Sequence, residues 1–150
     1  MQGITGSDAP EQPGEAYRLD DQIGFVLRQV AQRHAALFAA GIGADLTTTQ
    51  WAALAKLGEI GPVSQNRLGR RTAMDAATIK GVIDRLTRRG LTETCPDPED
   101  RRRLLVALTA DGRDLVTRTE TAAARITEDT LAPLARAERA VLLDLLNRLR

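Results

Sequence analysis

Residues 64–109 decide the fold: SQNRLGRRTAMDAATIKGVIDRLTRRGLTETCPDPEDRRRLLVALT. Ser64 and Asp75 are residue types that cap helix N-termini, and Gly90 is the residue type that most often ends a helix. These signals predict two short helices, SQNRLGRR and a second that runs to Arg89, with a tight turn between them. Two helices joined so closely are typical of a helix-turn-helix.

After Gly90 the apolar pattern changes from that of a helix to that of β-strands. LTETC and LLVALT are β-compatible runs, and residues 96–103 form the predicted loop between them. Pro96 and Pro98 fix φ and remove two backbone donors, so they should stiffen the loop and end the ladder. The loop ends in consecutive arginines, 101–103. A hairpin with such a tip, directly after a helix-turn-helix, is a wing.

Further helices are predicted on both sides of this unit. An apolar stripe from Leu19 to Phe38 indicates a long helix that stops near Gly41, and Thr47 caps the next one. Thr109 caps a helix after the wing, and a last helix follows with Val141, Leu142, Leu145, Leu146 and Leu149 on one stripe. A winged helix-turn-helix closes its own core, so these surplus apolar faces favour pairing with a second copy of the chain.

The predicted fold class is therefore mainly α, a winged helix-turn-helix with a two-stranded β wing and N- and C-terminal helices that form a dimerisation region. We divide the chain into a disordered tail (1–17), a dimerisation helix (18–45), a winged helix-turn-helix domain (46–109) and C-terminal dimerisation helices (110–150). The tail is expected because its Gly, Pro and acidic residues show no periodicity.

Charge is distributed unevenly along the chain. Residues 64–113 contain eleven basic and seven acidic residues, whereas the remainder contains ten basic and thirteen acidic residues. A basic region on a more acidic body suits the binding of a polyanion. One cysteine, no basic-then-apolar leader and no apolar run near 18 residues lead us to expect a cytoplasmic location without membrane association.

Catalytic and cofactor sites find no support in the residue inventory. A single histidine, His34, and a single cysteine, Cys95, leave no plausible catalytic triad and no cluster with metal-ligand spacing. GIGADL (41–46) lacks the third glycine and the preceding strand of a nucleotide-binding loop. We therefore expect no enzyme activity, no metal and no cofactor.

LTTTQWAAL (46–54), SQNRLGRRTAMDAATIKGVIDRLTRRGL (64–91) and above all DPEDRRRLLVALTADGR (97–113) resemble the multiple-antibiotic-resistance regulator (MarR) family of bacterial transcription factors. The resemblance covers about residues 19–150. It implies a dimer with intertwined terminal helices, repression of genes, and release from DNA when a small, often aromatic, anion binds. LDDQIGFVLRQ and AMDAATIKGVIDRL are similar to members that control aromatic-acid catabolism.

Three groups of residues are predicted to contact double-stranded DNA. The exposed rim of the second helix of the helix-turn-helix would face the major groove, and the helix before it would hold phosphates. The resemblance places Arg102 in the minor groove with Asp100 orienting its guanidinium, and Arg101 and Arg103 at phosphates. The full set comprises Ala76, Thr78, Lys80, Gly81 and Arg85 on the rim, Ser64, Gln65, Arg70 and Thr72 at the backbone, and Asp100, Arg101, Arg102 and Arg103 on the wing.

The resemblance also implies an effector pocket beside the first helix, so we expect His34, Phe38 and Trp51 to border a site for an aromatic or phenolic ligand. His34 could equally be a hydrogen-bonded interfacial histidine, and Trp51 could be a core residue. Lys80 and Arg85 could serve solubility alone, and the wing could be a solvated hairpin. Two other functions stay open: a winged-helix module that binds protein, and a redox sensor acting through Cys95.

Overall fold

The computed structural model describes residues 16–150, so the predicted tail lies almost wholly outside the described residues. Six α-helices and a two-stranded antiparallel sheet make up this part of the chain. A 3-10 turn at Leu19–Asp21 precedes them, and the elements are α1 (Ile23–Gly41), α2 (Thr48–Ile60), α3 (Gln65–Arg71), α4 (Ala76–Arg88), β1 (Thr92–Pro96), β2 (Leu104–Leu108), α5 (Ala110–Leu131) and α6 (Arg136–Asn147). The predicted mainly helical fold with a wing is confirmed.

Two predicted boundaries were wrong. The first helix begins at Ile23 rather than Leu19, because Gln22 has an extended backbone that separates α1 from the 3-10 turn. Pro96 belongs to β1 instead of the loop, where it pairs with Leu104 as the last position of the ladder. A proline is tolerated there because a strand end does not need its missing N–H.

All four predicted N-caps are confirmed. Thr47 and Gln50 form a reciprocal capping box, with distances of 3.2 and 3.0 Å. Asp75 accepts from the Thr78 N–H at 2.7 Å. Ser64 and Thr109 accept from backbone N–H groups at 3.4 and 3.0 Å, respectively. Each cap satisfies one of the unpaired donors in a first helical turn, which sets where the helix begins.

The turn between α3 and α4 depends on a glycine. A Cβ at Gly69 would lie 3.1 Å from both the Met74 carbonyl oxygen and the Ile79 side chain, and Ile79 is fully buried. The Met74 N–H donates to the Gly69 carbonyl at 2.9 Å, while Ala73 adopts a left-handed φ of 54°. The missing side chain at Gly69 therefore lets the two helices approach closely enough to share one core.

The main core lies under α2, α3, α4 and the wing. The predicted buried face of α4 is confirmed, because Ile79, Val82, Ile83 and Leu86 are at most 4% exposed. Leu54 from α2 and Leu68 from α3 complete its centre. Since burying one large aliphatic side chain contributes about 1.5–3 kcal/mol, this cluster holds the helix-turn-helix together.

The wing is anchored to the helices by a backbone bridge. Thr92 pairs with Leu108 at the base of the hairpin, and Val63, just before α3, pairs with Val106. The Val63–Val106 pair exchanges two N–H···O hydrogen bonds of 3.1 and 2.8 Å. Because Val63 directly precedes Ser64, this bridge fixes the start of α3 relative to the wing.

A threonine and a glycine join the wing to α5. The Thr109 hydroxyl donates to the Gly90 carbonyl at 2.6 Å while its oxygen caps α5 by accepting from the Gly112 N–H. A Cβ at Gly112 would lie 2.0 Å from the Leu91 carbonyl oxygen, so the helix backbone reaches a position that only glycine allows. These contacts explain the threonine and the glycine of the LTADG stretch after the wing.

A second, smaller cluster lies between α1 and α5. Phe38, Ile42 and Ile126 are buried there, and the half-buried Trp51 packs against both this cluster and the main core. Trp51 thus connects the helix-turn-helix to the pair of long helices.

The helix α6 has no buried residue. Val141, Leu145 and Leu149 are 58%, 47% and 73% exposed, and the N-terminal half of α1 carries exposed Ile23, Val26, Leu27 and Val30. None of the helices in residues 16–150 is both long enough and apolar enough to cross a membrane.

Gly112→Ala should destabilise the fold by at least about 2 kcal/mol, because the new methyl group would overlap the Leu91 carbonyl. Gly24→Ala is the matched control: it lies in α1, has open space around its Cα, and should be neutral or gain up to about 1 kcal/mol from helix propensity. Thermal and urea unfolding of both variants tests this. Equal stability of Gly112→Ala and the parent would contradict the close approach.

Candidate nucleic-acid interface and ligand cleft

The exposed side of α4 consists of the residues that lie outside its buried face. Thr78 is tied to the cap, because its N–H donates to Asp75 Oδ1 at 2.7 Å. This backbone hydrogen bond is the main reason that the pKa of the Asp75 carboxyl lies below its ordinary value. The Lys80 ammonium pairs with Asp84 at 2.8 Å across one helical turn, on an exposed surface. Such a pair is weak in water, so Lys80 can exchange Asp84 for a phosphate or base edge at small cost.

The Arg85 side chain partly occupies the space beside Gly81, which has no side chain of its own. A Cβ at Gly81 would lie 3.7 Å from Arg85 Nη1, so the guanidinium extends along the helix over this gap. Ala76 adds another small exposed side chain in the first turn of α4. The rim therefore combines small residues with exposed cations, which suits close approach to a groove.

The predicted phosphate contacts on α3 have mixed environments. Arg70 is exposed, and Gln65 is half-buried in a cleft of about 550 Å³ between α4 and the wing. The Thr72 hydroxyl donates to the Leu68 carbonyl at 2.7 Å, so its proton is used inside the helix and only its oxygen stays available. Ser64, by contrast, uses its hydroxyl oxygen as the acceptor that caps α3. Its hydroxyl hydrogen can still donate to a phosphate.

The wing tip is shaped by carboxylates that bind backbone N–H groups. Asp100 Oδ1 accepts from the Arg102 N–H at 3.1 Å, and the Asp100 carbonyl accepts from the Arg103 N–H at 2.9 Å. Asp97 accepts from the Glu99 N–H at 3.0 Å. Arg101, Arg102 and Arg103 are all exposed, and no ion pair involves them within the described 16–150 region. Asp100 therefore holds the backbone of Arg102, and an orienting contact with its guanidinium remains a prediction.

The predicted effector residues come together in one cleft. His34 and Phe38 from α1, Trp51 from α2, and residues of α5 line a space of about 260 Å³. Its remaining lining residues are Thr48, Ala52, Ala123, Ile126 and Thr127. Sequence reasoning missed the contribution of α5, since its periodicity identifies an apolar face but does not say which helix that face meets.

His34 is held by a hydrogen bond to α5. Its Nδ1 lies 2.9 Å from the Thr130 hydroxyl oxygen, and that hydroxyl donates to the Ile126 carbonyl at 2.7 Å. Beside it, the Arg33 guanidinium donates to the carbonyls of Thr130 and Asp129 at 2.6 and 3.1 Å. The His34 ring is thus hydrogen-bonded to α5 and also lines the cleft, and its contact with a ligand stays a prediction.

Cys95 is half-buried in β1, where it pairs with Leu105. Within the part of the chain that the structure describes, no group of three or more metal-ligating side chains is close enough to hold a metal ion.

Comparison with known proteins identifies the family. The MarR family model matches residues 44–103, which span α2 to the wing loop. The HTH-type transcriptional repressor NicR of Pseudomonas putida is 38% identical over 146 residues, covering 97% of this chain and 92% of that protein.

Solved structures agree in fold over most of the length. A probable transcriptional regulator from Pseudomonas aeruginosa has 59% identity and a TM-score of 0.86, covering 89% of this chain and 100% of that chain. BpsR of Bordetella bronchiseptica, whose DNA binding is regulated by 6-hydroxynicotinic acid, has 40% identity and a TM-score of 0.84, covering 89% and 96% of the two chains. The chain therefore belongs to the MarR family of winged helix-turn-helix DNA-binding transcriptional regulators, not to a class of enzymes.

Proposed function

We propose that this protein is a repressor that binds a pseudo-palindromic operator as a homodimer and leaves it when a small aromatic or phenolic anion binds. Control of aromatic-acid catabolism is the corresponding biological role. The observation that carries the proposal is the exposed arginine tip, 101–103, on a hairpin anchored beside the open rim of α4. One element suits the major groove and the other the adjacent minor groove.

The wing arginines are suited to a narrow minor groove by their charge and shape. A guanidinium is planar and weakly hydrated, so it enters a confined negative potential at lower desolvation cost than an ammonium does. The hydrogen bond from the Arg102 N–H to Asp100 restrains the backbone of the tip. This reduces the entropy lost on binding. On α3, Arg67 lies in the first helical turn, where its charge opposes the helix dipole unless a phosphate lies nearby.

Arg102→Ala should weaken operator binding by about 1–3 kcal/mol. It should also reduce the magnitude of the slope of log K against log salt concentration by about one, since one cation that offsets phosphate charge is lost. Arg118→Ala is the matched control, because Arg118 is exposed on α5 and pairs only with Asp114 at 2.8 Å within the described residues. Fluorescence anisotropy with the selected operator at several salt concentrations measures both. If Arg102→Ala binds as tightly as Arg118→Ala, the wing assignment is wrong.

The dimer proposal rests on the apolar side of α6. Leu134, Ala137, Val141 and Leu145 line an open groove with almost wholly apolar walls on a helix without a buried residue. Exposure of such an apolar surface to water is energetically unfavourable. A second copy of the chain, contributing its own α6 and the exposed stripe of α1, would cover it in a symmetric arrangement.

Leu145→Glu should shift the protein from dimer toward monomer, because it places a charge inside the proposed interface. Asn147→Glu adds the same charge to α6 outside the groove and should leave the dimer intact. Sedimentation equilibrium over a range of concentrations separates the two variants. A dimer of unchanged affinity in Leu145→Glu would place the interface elsewhere.

The ligand proposal rests on the cleft between α1, α2 and α5. It combines aromatic walls, Phe38 and Trp51, with one ionisable side chain, His34. This composition suits a small planar acid. The regulation of BpsR by 6-hydroxynicotinic acid and the repressor role of NicR support the same class of ligand and the same direction of control.

6-Hydroxynicotinate should raise the melting temperature of the protein and also release the operator, since release requires binding to favour a conformer with lower DNA affinity. His34→Ala should abolish both effects without preventing operator binding. Thermal shift and anisotropy competition measure the two effects separately. A melting rise without release would contradict a regulatory role for the ligand.

The rival functions make different predictions. A winged-helix module that binds protein would show neither a steep salt slope nor preference for one duplex sequence. A redox sensor acting through Cys95 would lose its response in Cys95→Ser. Cys95 is half-buried within a β ladder and is the one cysteine of the sequence, so the chain offers it no resolving cysteine, which favours the ligand-responsive repressor.

A further inference from the structure

We propose that Thr130 is a positioning residue that fixes the tautomer of His34, so that the cleft binds an organic acid only together with one proton. This inference rests on the proposed ligand cleft and specifies its chemistry. Thr130 lies at the end of α5 and does not itself line the cleft.

The direction of the hydrogen bonds determines the tautomer. The Thr130 hydroxyl has one hydrogen, and that hydrogen is directed to the Ile126 carbonyl at 2.7 Å. With its hydrogen so directed, the Thr130 oxygen presents a lone pair to His34 Nδ1 at 2.9 Å and acts as the acceptor. This arrangement favours the neutral tautomer that has its hydrogen on Nδ1 and its lone pair on Nε2. Within residues 16–150, no hydrogen bond of the ring involves Nε2, which leaves this atom for a ligand.

A lone pair on Nε2 repels a carboxylate. Binding of an anion therefore requires a hydrogen between Nε2 and the carboxylate oxygen, either as an imidazolium or as a proton that enters with the acid. In both descriptions the complex contains one more proton than the neutral His34 ring and the ionised acid contain together before binding. This proton is taken up from solution when the anion binds, so the affinity for the anion should fall as the pH rises.

Other charged groups near His34 are already engaged. On α1, the Arg33 guanidinium donates to the carbonyls of Asp129 and Thr130. On α5, Glu128 pairs with Arg139 of α6 at 2.6 Å. Asp129, also on α5, is exposed to solvent. The residues that α2 contributes, Thr48, Trp51 and Ala52, are not ionisable in this range. His34 is thus the single ionisable group among the described residues that line the cleft.

Titration of the protein with 6-hydroxynicotinate from about pH 6 to 8.5 tests the inference, because a carboxylate with an ordinary pKa near 4 stays ionised throughout. Trp51 is the only tryptophan of the chain and lines the cleft, so its fluorescence reports occupancy. We expect Kd to rise about tenfold per pH unit at the alkaline end, the slope of a one-proton linkage. His34→Gln, which offers a side-chain N–H at every pH, should remove this slope.

Thr130 is tested by two substitutions, one that replaces its hydroxyl by a methyl group and one that keeps the hydroxyl. Thr130→Val removes the acceptor, so the neutral ring can move its hydrogen to Nε2 and bind the anion without a proton. Its Kd should become nearly independent of pH above pH 7.5, whereas Thr130→Ser should keep the parent slope. A purely structural role would change affinity without changing the slope.

The outcomes are distinguishable. Binding by the parent with a Kd that does not change with pH would overturn the proton linkage while leaving the ligand cleft intact. Equal slopes in Thr130→Val and the parent would overturn the positioning role. If the probe binds at no pH, the ligand part of the proposed function fails, and this inference fails with it.

Discussion

The close approach of α5 to the base of the wing is the constraint on which the rest of the molecule depends. Gly112 brings the helix backbone against the Leu91 carbonyl, and Thr109 bonds both sides of the junction. Everything that follows in the chain is placed by this junction. It starts a 22-residue helix, and that helix supplies one wall of the proposed ligand cleft.

Trp51 connects the two clusters of buried residues with the cleft. It packs against the core of the helix-turn-helix and against the small cluster of Phe38, Ile42 and Ile126, and it also lines the cleft. A ligand that displaces Trp51 would act on both clusters at once. Tightly packed cores respond to such changes by switching between discrete arrangements, since they do not deform continuously. A coupling of about 1–3 kcal/mol is sufficient to change DNA affinity five- to 150-fold.

Local signals made much of the fold predictable. The caps at Thr47, Ser64, Asp75 and Thr109 and the buried face of α4 follow from side-chain chemistry and spacing, and the structure confirms them. The start of α1 was misplaced because an apolar stripe continues through Leu19, while the backbone turns at Gln22. Periodicity records which residues are apolar, and it does not record where the backbone leaves the helix.

In the candidate sites too, features within one local element could be predicted, whereas contacts between distant parts of the chain could not. The exposed rim of α4 and the wing tip could be predicted, because each lies within one local element. Thr130 could not be found from sequence, since its contact with His34 joins residues 96 positions apart. The role predicted for Asp100 illustrates a further limit: its position at the tip was predicted, but in the free protein its carboxylate bonds the backbone of Arg102.

The central claim is that two identical subunits place a recognition helix and a wing on the same duplex. Its most direct test is the mass of the complex with a selected operator, measured by sedimentation velocity, together with a variant operator that has five extra base pairs between its half-sites. Two chains per duplex are predicted, and the insertion should abolish tight binding because it rotates one half-site by about half a helical turn. One chain per duplex, or affinity that is unchanged by the insertion, would contradict the account.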